Sequence, residues 1–304
     1  MARIDGLGGY RSAIEQIMFA RVAILGSGLI GGSFALALRR AGLAQNIVAF
    51  DRDPTAAERA RELGIVDETA NSAGDAVAGC DLVVIAEPVS QTENILAAIA
   101  PHLERDAIVT DVGSTKRDVI AAARRALGDR IARFVPGHPI AGREVHGPDA
   151  ALADLFVGKR VLLTPLIEND DATIARVRDA WSACGARVET LAADAHDQAL
   201  SAVSHLPHLL AYALVAQIAD ASDADLKFAL AGGGFRDFTR IAASSPEMWR
   251  DIAIANRDAL LVDLDAYRVR LDALRAWIAA SDRDALEALF AKASAARSDW
   301  EERR

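Results

Sequence analysis

A chain of 304 residues has room for two domains, and 52% hydrophobic with 25% charged residues is the composition of a soluble globular protein. A net charge of −9 excludes nucleic acid as a partner, because phosphate binding needs a positive face; an anionic small ligand would need a local cluster of Arg and His. No run approaches ~20 uninterrupted apolar residues, so neither a membrane-spanning helix nor a secretory leader is expected, and two distant cysteines, Cys80 and Cys184, suit reduced thiols in the cytoplasm.

In chain order, residues 1–20 form an N-terminal extension. From there short β-branched runs alternate with apolar-periodic stretches, the pattern of a parallel α/β sheet. Strands are expected at 21–25, 47–51, 81–86, 107–111, 131–135, 160–164 and 187–190, and helices at 29–41, 54–63, 91–100 and 116–127. RVAIL and LVVIA are almost continuously apolar, as strands covered on both faces should be. Beyond Leu191 only helical periodicity remains, with starts at Ser245-Pro246-Glu247 and near Ser281-Asp282. The expected division is an α/β Rossmann-type domain over 21–191 and an all-α domain over 192–304. HLLAYALVAQIA is too apolar to be left solvated and should be buried against the first domain or a second subunit.

RVAILGSGLIGGS puts Gly26, Gly28 and Gly31 in G-x-G-x-x-G spacing, directly after a strand and opening a helix. Gly26 would permit the tight turn, Gly28 would let the backbone approach a pyrophosphate, and Gly31 would allow close helix–strand packing. Leu29 and Ile30 lie in the same loop, at the positive end of the helix dipole. Asp51 stands 20 residues after Gly31, where an acid suits the ribose hydroxyls of NAD and disfavours the 2′-phosphate of NADP, although Arg52 beside it could pair with that phosphate. Gly6, Gly8 and Gly9 form a second cluster, with no strand before it.

Two later strand ends carry polar residues: Ser114 in DVGSTK and His138 in GHPIAG. A His between Gly and Pro on a loop is poorly explained by packing, and imidazole is the usual acceptor of a hydroxyl proton near neutral pH. In the helical half, Ser204 and His208 of SHLPH lie four apart on one face, with Pro207 marking a kink or a helix start. This HxxH pair lacks a third ligand at recognisable spacing, so no metal is expected. GGGFRDFTR places Arg236 and Arg240 on one face, and a guanidinium would bind a carboxylate in bidentate fashion.

GSGLIGGS, DVGSTK, GHPIAG, SHLPH and GGGFRDFTRIA followed by MWRDI, in this order between residues 21 and 257, resemble the prephenate/arogenate dehydrogenase family. The resemblance implies NAD-dependent oxidative decarboxylation of prephenate to 4-hydroxyphenylpyruvate in tyrosine biosynthesis, with arogenate as a further substrate, and a helical domain that forms a homodimer. It also implies His138 as proton acceptor, Ser114 fixing the geometry of hydroxyl, His or nicotinamide, Arg240 on the ring carboxylate, and His208 with Ser204 at the side-chain end. Arg143 after GHPIAG, where smaller or polar residues are common in the family, would add a cation at the pocket rim. Glu87 in IAEPV is another departure, an acid near the cofactor cleft. With the chain ending at Arg304, there is no room after the helices for a fused mutase or regulatory domain, and none is expected.

Three alternatives remain open. An arogenate dehydrogenase would form tyrosine directly. A β-hydroxyacid dehydrogenase would need a catalytic Lys on a second-domain helix, and Lys227 and Lys292, the only lysines after residue 159, do not stand in such a motif. A non-catalytic NAD-binding regulator would have no reason to keep Ser114, His138, His208 and Arg240 together.

Overall fold

The protein was analysed as a computed structural model that describes residues 18–303. Most of the expected N-terminal extension, with its glycine cluster, therefore lies outside the described residues. The chain divides into two compact units, the first running to Asn256 and the second from Arg257.

The first unit is built on a six-stranded sheet. Its strands are β1 (Phe19–Leu25), β2 (Ala44–Phe50), β3 (Glu68–Thr69), β4 (Leu82–Ile85), β5 (Ile108–Asp111) and β6 (Phe134–Val135). The order is β3-β2-β1-β4-β5-β6, with every pair parallel. Helices α1 (Leu29–Arg40), α2 (Pro54–Glu62), α3 (Ala73–Val77), α4 (Thr92–Ile99) and α5 (Arg117–Leu127) connect them. The pleat explains the continuous apolar runs. Val22 and Ile24 of β1 with Leu82 and Val84 of β4 enter one core, while Ala23 and Leu25 with Val83 and Ile85 enter the other. Strand order reverses between β1 and β4, and the carboxyl ends of these strands open the crevice where such sheets take ligands.

The last expected strands do not extend this sheet. β8 (Arg160–Leu163) and β9 (Arg187–Thr190) pair with an unexpected three-residue strand, β7 (Gly137–Pro139), in a separate sheet of order β7-β8-β9. β7 runs antiparallel to β8, and α6 (Asp171–Ala183) links β8 to β9. From this helix, Trp181 lies 4.3 Å from Phe34 and 5.1 Å from Phe156 between ring centroids.

The helical remainder of this unit comprises α7 (Ala193–Leu200), α8 (Leu206–Ala219), α9 (Ala224–Ala229), α10 (Gly233–Thr239) and α11 (Pro246–Ala255). Ser245 caps α11 by accepting a hydrogen bond from the Met248 amide, as its Ser-Pro-Glu start requires. A π-helical turn over Ser201–His205 joins α7 to α8 and carries the chain through Pro207 without a break. The continuous helix Ala193–Ala219 has 27 residues and a mean hydropathy of 1.4 over its best window, enough to cross a membrane by length and composition. Its first turns nevertheless carry His196 and Asp197, both fully buried.

The second unit is a pair of long helices, α12 (Arg257–Ala280) and α13 (Arg283–Glu302). Asp282, rather than Ser281, caps α13; Ser281 takes the positive φ of 51° that turns the chain.

Phe34 fills the centre of one core, so Phe34→Ala should lower stability by ~3–5 kcal/mol, read from urea unfolding. An unchanged midpoint would contradict the packed Phe34–Trp181–Phe156 cluster.

Candidate active site

The glycine loop after β1 has the geometry its spacing demands. Gly26 has φ +97°, and a Cβ there would come within 2.5 Å of the Ala86 carbonyl oxygen. A Cβ at Gly31 would overlap the Gly26 carbonyl oxygen, whereas one at Gly28 would meet nothing within 4 Å. The loop is thus closed at two glycines and open at the third, where a ligand can approach the backbone. Among the described residues, no side chain caps the N-terminus of α1 and no acid occupies its first turn. Its amides remain available to an anion. Asp51 closes the loop from β2, accepting from the Ser27 amide at 2.8 Å and the Ser27 hydroxyl at 2.9 Å.

A cleft of about 390 Å³ opens over this loop. Gly28, Leu29 and Ile30 border it, with Glu87 after β4, Ser114 after β5, His138, Arg143 and Glu144. His138 is not on a loop, as its Gly and Pro neighbours suggested, but at the centre of β7, opposite Leu162 of β8 and only 9% exposed.

Two buried ionic clusters hold His138. Behind its backbone, the Lys116 ammonium bonds Asp111 at 2.5 Å and the Gly137 carbonyl at 2.7 Å. Asp111 in turn accepts from the amides of Gly113 at 2.8 Å and Gly137 at 3.1 Å. Burial pushes the Lys116 pKa below its usual value, and the charge of Asp111 opposes that shift. Behind the ring, His138 Nδ1 lies 2.9 Å from His196 Nε2, and His196 Nδ1 lies 2.8 Å from Asp197. The Asp197 carboxylate also accepts from the amides of Lys116 and Arg117 at 2.8 and 2.9 Å, capping α5 from another helix, and from Arg117 Nε at 3.2 Å. These bonds hold its carboxyl below the usual range against the effect of burial.

The relay couples the tautomers of the two imidazoles. An ionised Asp197 only accepts, so His196 Nδ1 donates to it. In the tautomer in which His196 Nε2 accepts, His138 Nδ1 donates and the proton-free nitrogen of His138 is Nε2. Burial, with His196, Lys116 and His205 nearby, pushes the His138 pKa well below that of a free imidazole, so this base is neutral at physiological pH. A neutral imidazole with a free Nε2 at a dinucleotide-type cleft can take a proton from a hydroxyl as hydride leaves the same carbon.

Residues 34–190 match the family described as "Prephenate dehydrogenase, nucleotide-binding domain", and residues 192–292 match "Prephenate dehydrogenase, dimerization domain". The chain belongs to the prephenate dehydrogenase family. It is 38% identical to the cyclohexadienyl dehydrogenase of Zymomonas mobilis over 282 residues, 92% of this chain and 96% of that protein. The prephenate dehydrogenase of A. aeolicus, solved with hydroxyphenyl propionate and NAD+, matches with TM-score 0.85 and 36% identity, covering 92% and 98% of the two chains. The arogenate dehydrogenase of Synechocystis matches with TM-score 0.76 and 31% identity, covering 92% and 99%.

This prephenate dehydrogenase family member gathers some expected site residues and leaves others apart. Gly28, Leu29, Ile30, Ser114, His138 and Arg143 border the cleft; Gly26, Gly31 and Asp51 shape the loop from behind. Ser204, His208 and Arg240 are not in its lining. His208 stacks on Trp249 at 3.5 Å and donates through Nδ1 to the Ser204 carbonyl at 2.8 Å, so Ser204 contributes its backbone there. Arg240 reaches the cleft through an ion pair with Glu144, which borders it. His196, Asp197, Asp111 and Lys116 were missed. A His-Asp dipeptide opening an apolar helix, and a Lys closing a glycine-containing loop, were the signals available for them.

Burial also pushes His205 down to about 4 and lowers His208. An imidazole with a folded-state pKa below its unfolded value takes up a proton on unfolding. Its contribution to stability is therefore complete above about 6.5 and is lost as pH falls toward about 4. Glu87, whose carboxyl is raised by burial, acts in the opposite sense. Thermal scans across this window should show Tm falling with pH for the wild type and a shallower fall for His205→Asn. Equal slopes would contradict a buried neutral His205.

Proposed function

We propose that the protein is a cytoplasmic NAD-dependent dehydrogenase that converts prephenate to 4-hydroxyphenylpyruvate in tyrosine biosynthesis, and accepts arogenate as a second substrate. The observation that carries this reading is His138: a buried, neutral imidazole with its Nδ1 engaged by His196, bordering the same cleft as the glycine loop. The residues fit the dinucleotide, since Gly28 is open above its Cα and the first amides of α1 are uncapped among the described residues. Gly28, Leu29 and Ile30 would hold the pyrophosphate against these amides, and Asp51 would take ribose hydroxyls. Bound NAD supplies the hydride acceptor.

The chain's own residues do the rest. His138 Nε2 accepts the proton of the substrate 4-hydroxyl as the C4–H bond gives up its hydride. The Ser114 hydroxyl orients that oxygen. Arg240 receives the ring carboxylate, which competes with Glu144 for the guanidinium. Once C4 is a ketone, loss of CO₂ aromatises the ring to a phenolate, which takes back the proton held by His138, so decarboxylation needs little further acid–base help. The carboxylate of the pyruvyl side chain suits Arg143, which has no ion-pair partner among the described residues. Arg143 repels the ammonium of arogenate and so favours prephenate; Glu144 beside it attracts that ammonium and keeps arogenate acceptable.

We also assign the helical residues 192–304 to a homodimer interface. Leu226, Leu230 and Phe238 in the first unit and Val262, Val269 and Ile278 in the second all present exposed apolar side chains.

Steady-state kinetics with both substrates should give a larger kcat/KM for prephenate with NAD, and Arg143→Ala should narrow its lead over arogenate; a lead unchanged by the substitution would remove Arg143 from the side-chain site. His138→Asn should lower kcat by ~10²–10⁴ while NAD affinity stays near wild type. Near-normal turnover would refute the assignment. Arg240→Gln should chiefly raise the substrate KM, and an unchanged KM would detach Arg240 from the ring carboxylate.

A further inference from the structure

Glu87 follows β4 at the point where strand order reverses. Its amide lies against the glycine loop, where a Cβ on Gly26 would come within 3.1 Å of it. The side chain is 5% exposed and borders the cleft alongside Gly28. One carboxylate oxygen, Oε2, faces Arg52 Nε at 3.4 Å. The other, Oε1, is buried and has no hydrogen-bond partner among the described residues. Burial, and then the negative charge of nearby Asp51, push the carboxyl upward in pKa, while Arg52 opposes this.

A buried carboxylate oxygen without a donor is costly, and because Glu87 borders the cleft, a bound group there could satisfy it after a small turn of the carboxylate. Only a group that carries a proton can do so. A sugar hydroxyl donates; a phosphate dianion does not, and next to two carboxylates it would be repelled. Arg52 is the cation whose place in the sequence, directly after Asp51, would suit a 2′-phosphate. Here it is turned to Glu87 instead.

We propose that Glu87 is a cofactor-selecting residue: its Oε1 accepts a ribose hydroxyl of the dinucleotide, and its charge, with Arg52 drawn against it, excludes a 2′-phosphate. This rests on the cleft being a dinucleotide site, and it assigns selectivity jointly to the ends of β2 and β4 rather than to Asp51 alone. Glu87→Gln keeps the shape and removes the charge.

The test is titration calorimetry of the intact protein with NAD and with NADP, for the wild type and three variants. The wild type should bind NAD at least ~100-fold more tightly than NADP. Glu87→Gln should weaken NAD by no more than ~10-fold and tighten NADP by at least ~10-fold, and adding Arg52→Ala to it should abolish the gain in NADP. Arg52→Gln alone, an exposed change that leaves the fold intact, should keep the weak NADP affinity within ~2-fold, because Arg52 is already engaged. The proposal is overturned if Glu87→Gln leaves the ratio of the two dissociation constants unchanged, or if Arg52→Gln alone weakens NADP by ~10-fold. A wild type that binds neither dinucleotide would instead overturn the reading of the cleft itself.

Discussion

The Asp197 carboxylate is the constraint on which the site depends. It is fully buried, and an isolated charge at that depth would cost several kcal/mol. Four donors compensate: two amides at the N-terminus of α5, the Arg117 guanidinium and His196. The same four bonds define the architecture. They tie α7 to the first turn of α5, which follows β5, and they set the direction of the proton on His196. Asn256 completes the join by donating to the Asp197 carbonyl at 2.7 Å and accepting from Arg117 at 3.0 Å. A single residue thus caps one helix, fastens another and, through His196, positions the His138 ring, so neutralising it would disturb the fold and the proposed site together.

Lys116 and Asp111 perform the complementary task on the backbone side. A buried Lys–Asp pair adds little net stability, because desolvation offsets most of the attraction. Its value lies in direction. The ammonium and the carboxylate together engage both the carbonyl and the amide of Gly137, and so hold β7 away from the register of the parallel sheet. The chain changes sheet between Val135 and Gly137, and His138 is the first side chain beyond the change that borders the cleft. Fixing the base from its backbone and from its ring leaves it little freedom to move when the cleft fills.

How much of this was legible in the sequence follows from the range of each interaction. Alternation of β1, β2, β4 and β5 with their helices was readable because each strand buries both faces, and the glycine loop because its reasons are local. His138 stood out by its neighbours. β7 was invisible: three residues, Gly-His-Pro, carry no periodicity, and their strand character comes from β8, more than twenty residues away. His196 and Asp197 read as ordinary members of an amphipathic helix because their partners lie 58 to 81 positions away in sequence. Pro207 suggested a break, but the π turn before it absorbed the missing amide and made one long helix. The pairing of Arg240 with Glu144 joins segments 96 positions apart, and composition says nothing about which acid a given arginine will meet.

For the proton-accepting role proposed for His138, its low basicity looks at first like a handicap, since each unit of lowered pKa costs about 1.4 kcal/mol of driving force for accepting the proton. The same burial removes competition from water and keeps the imidazole neutral, so no ring proton need be shed before reaction. In the proposed reaction, the charge that would develop on the ring as the hydroxyl proton arrives is met through His196 by the Asp197 carboxylate, which is already ionised and already oriented. A preorganised partner of this kind interacts more strongly with the imidazolium of the transition state than with the neutral ring of the resting state. Desolvation therefore sets the protonation state before reaction, and the buried carboxylate two residues deep offsets part of its penalty only while the proton is moving.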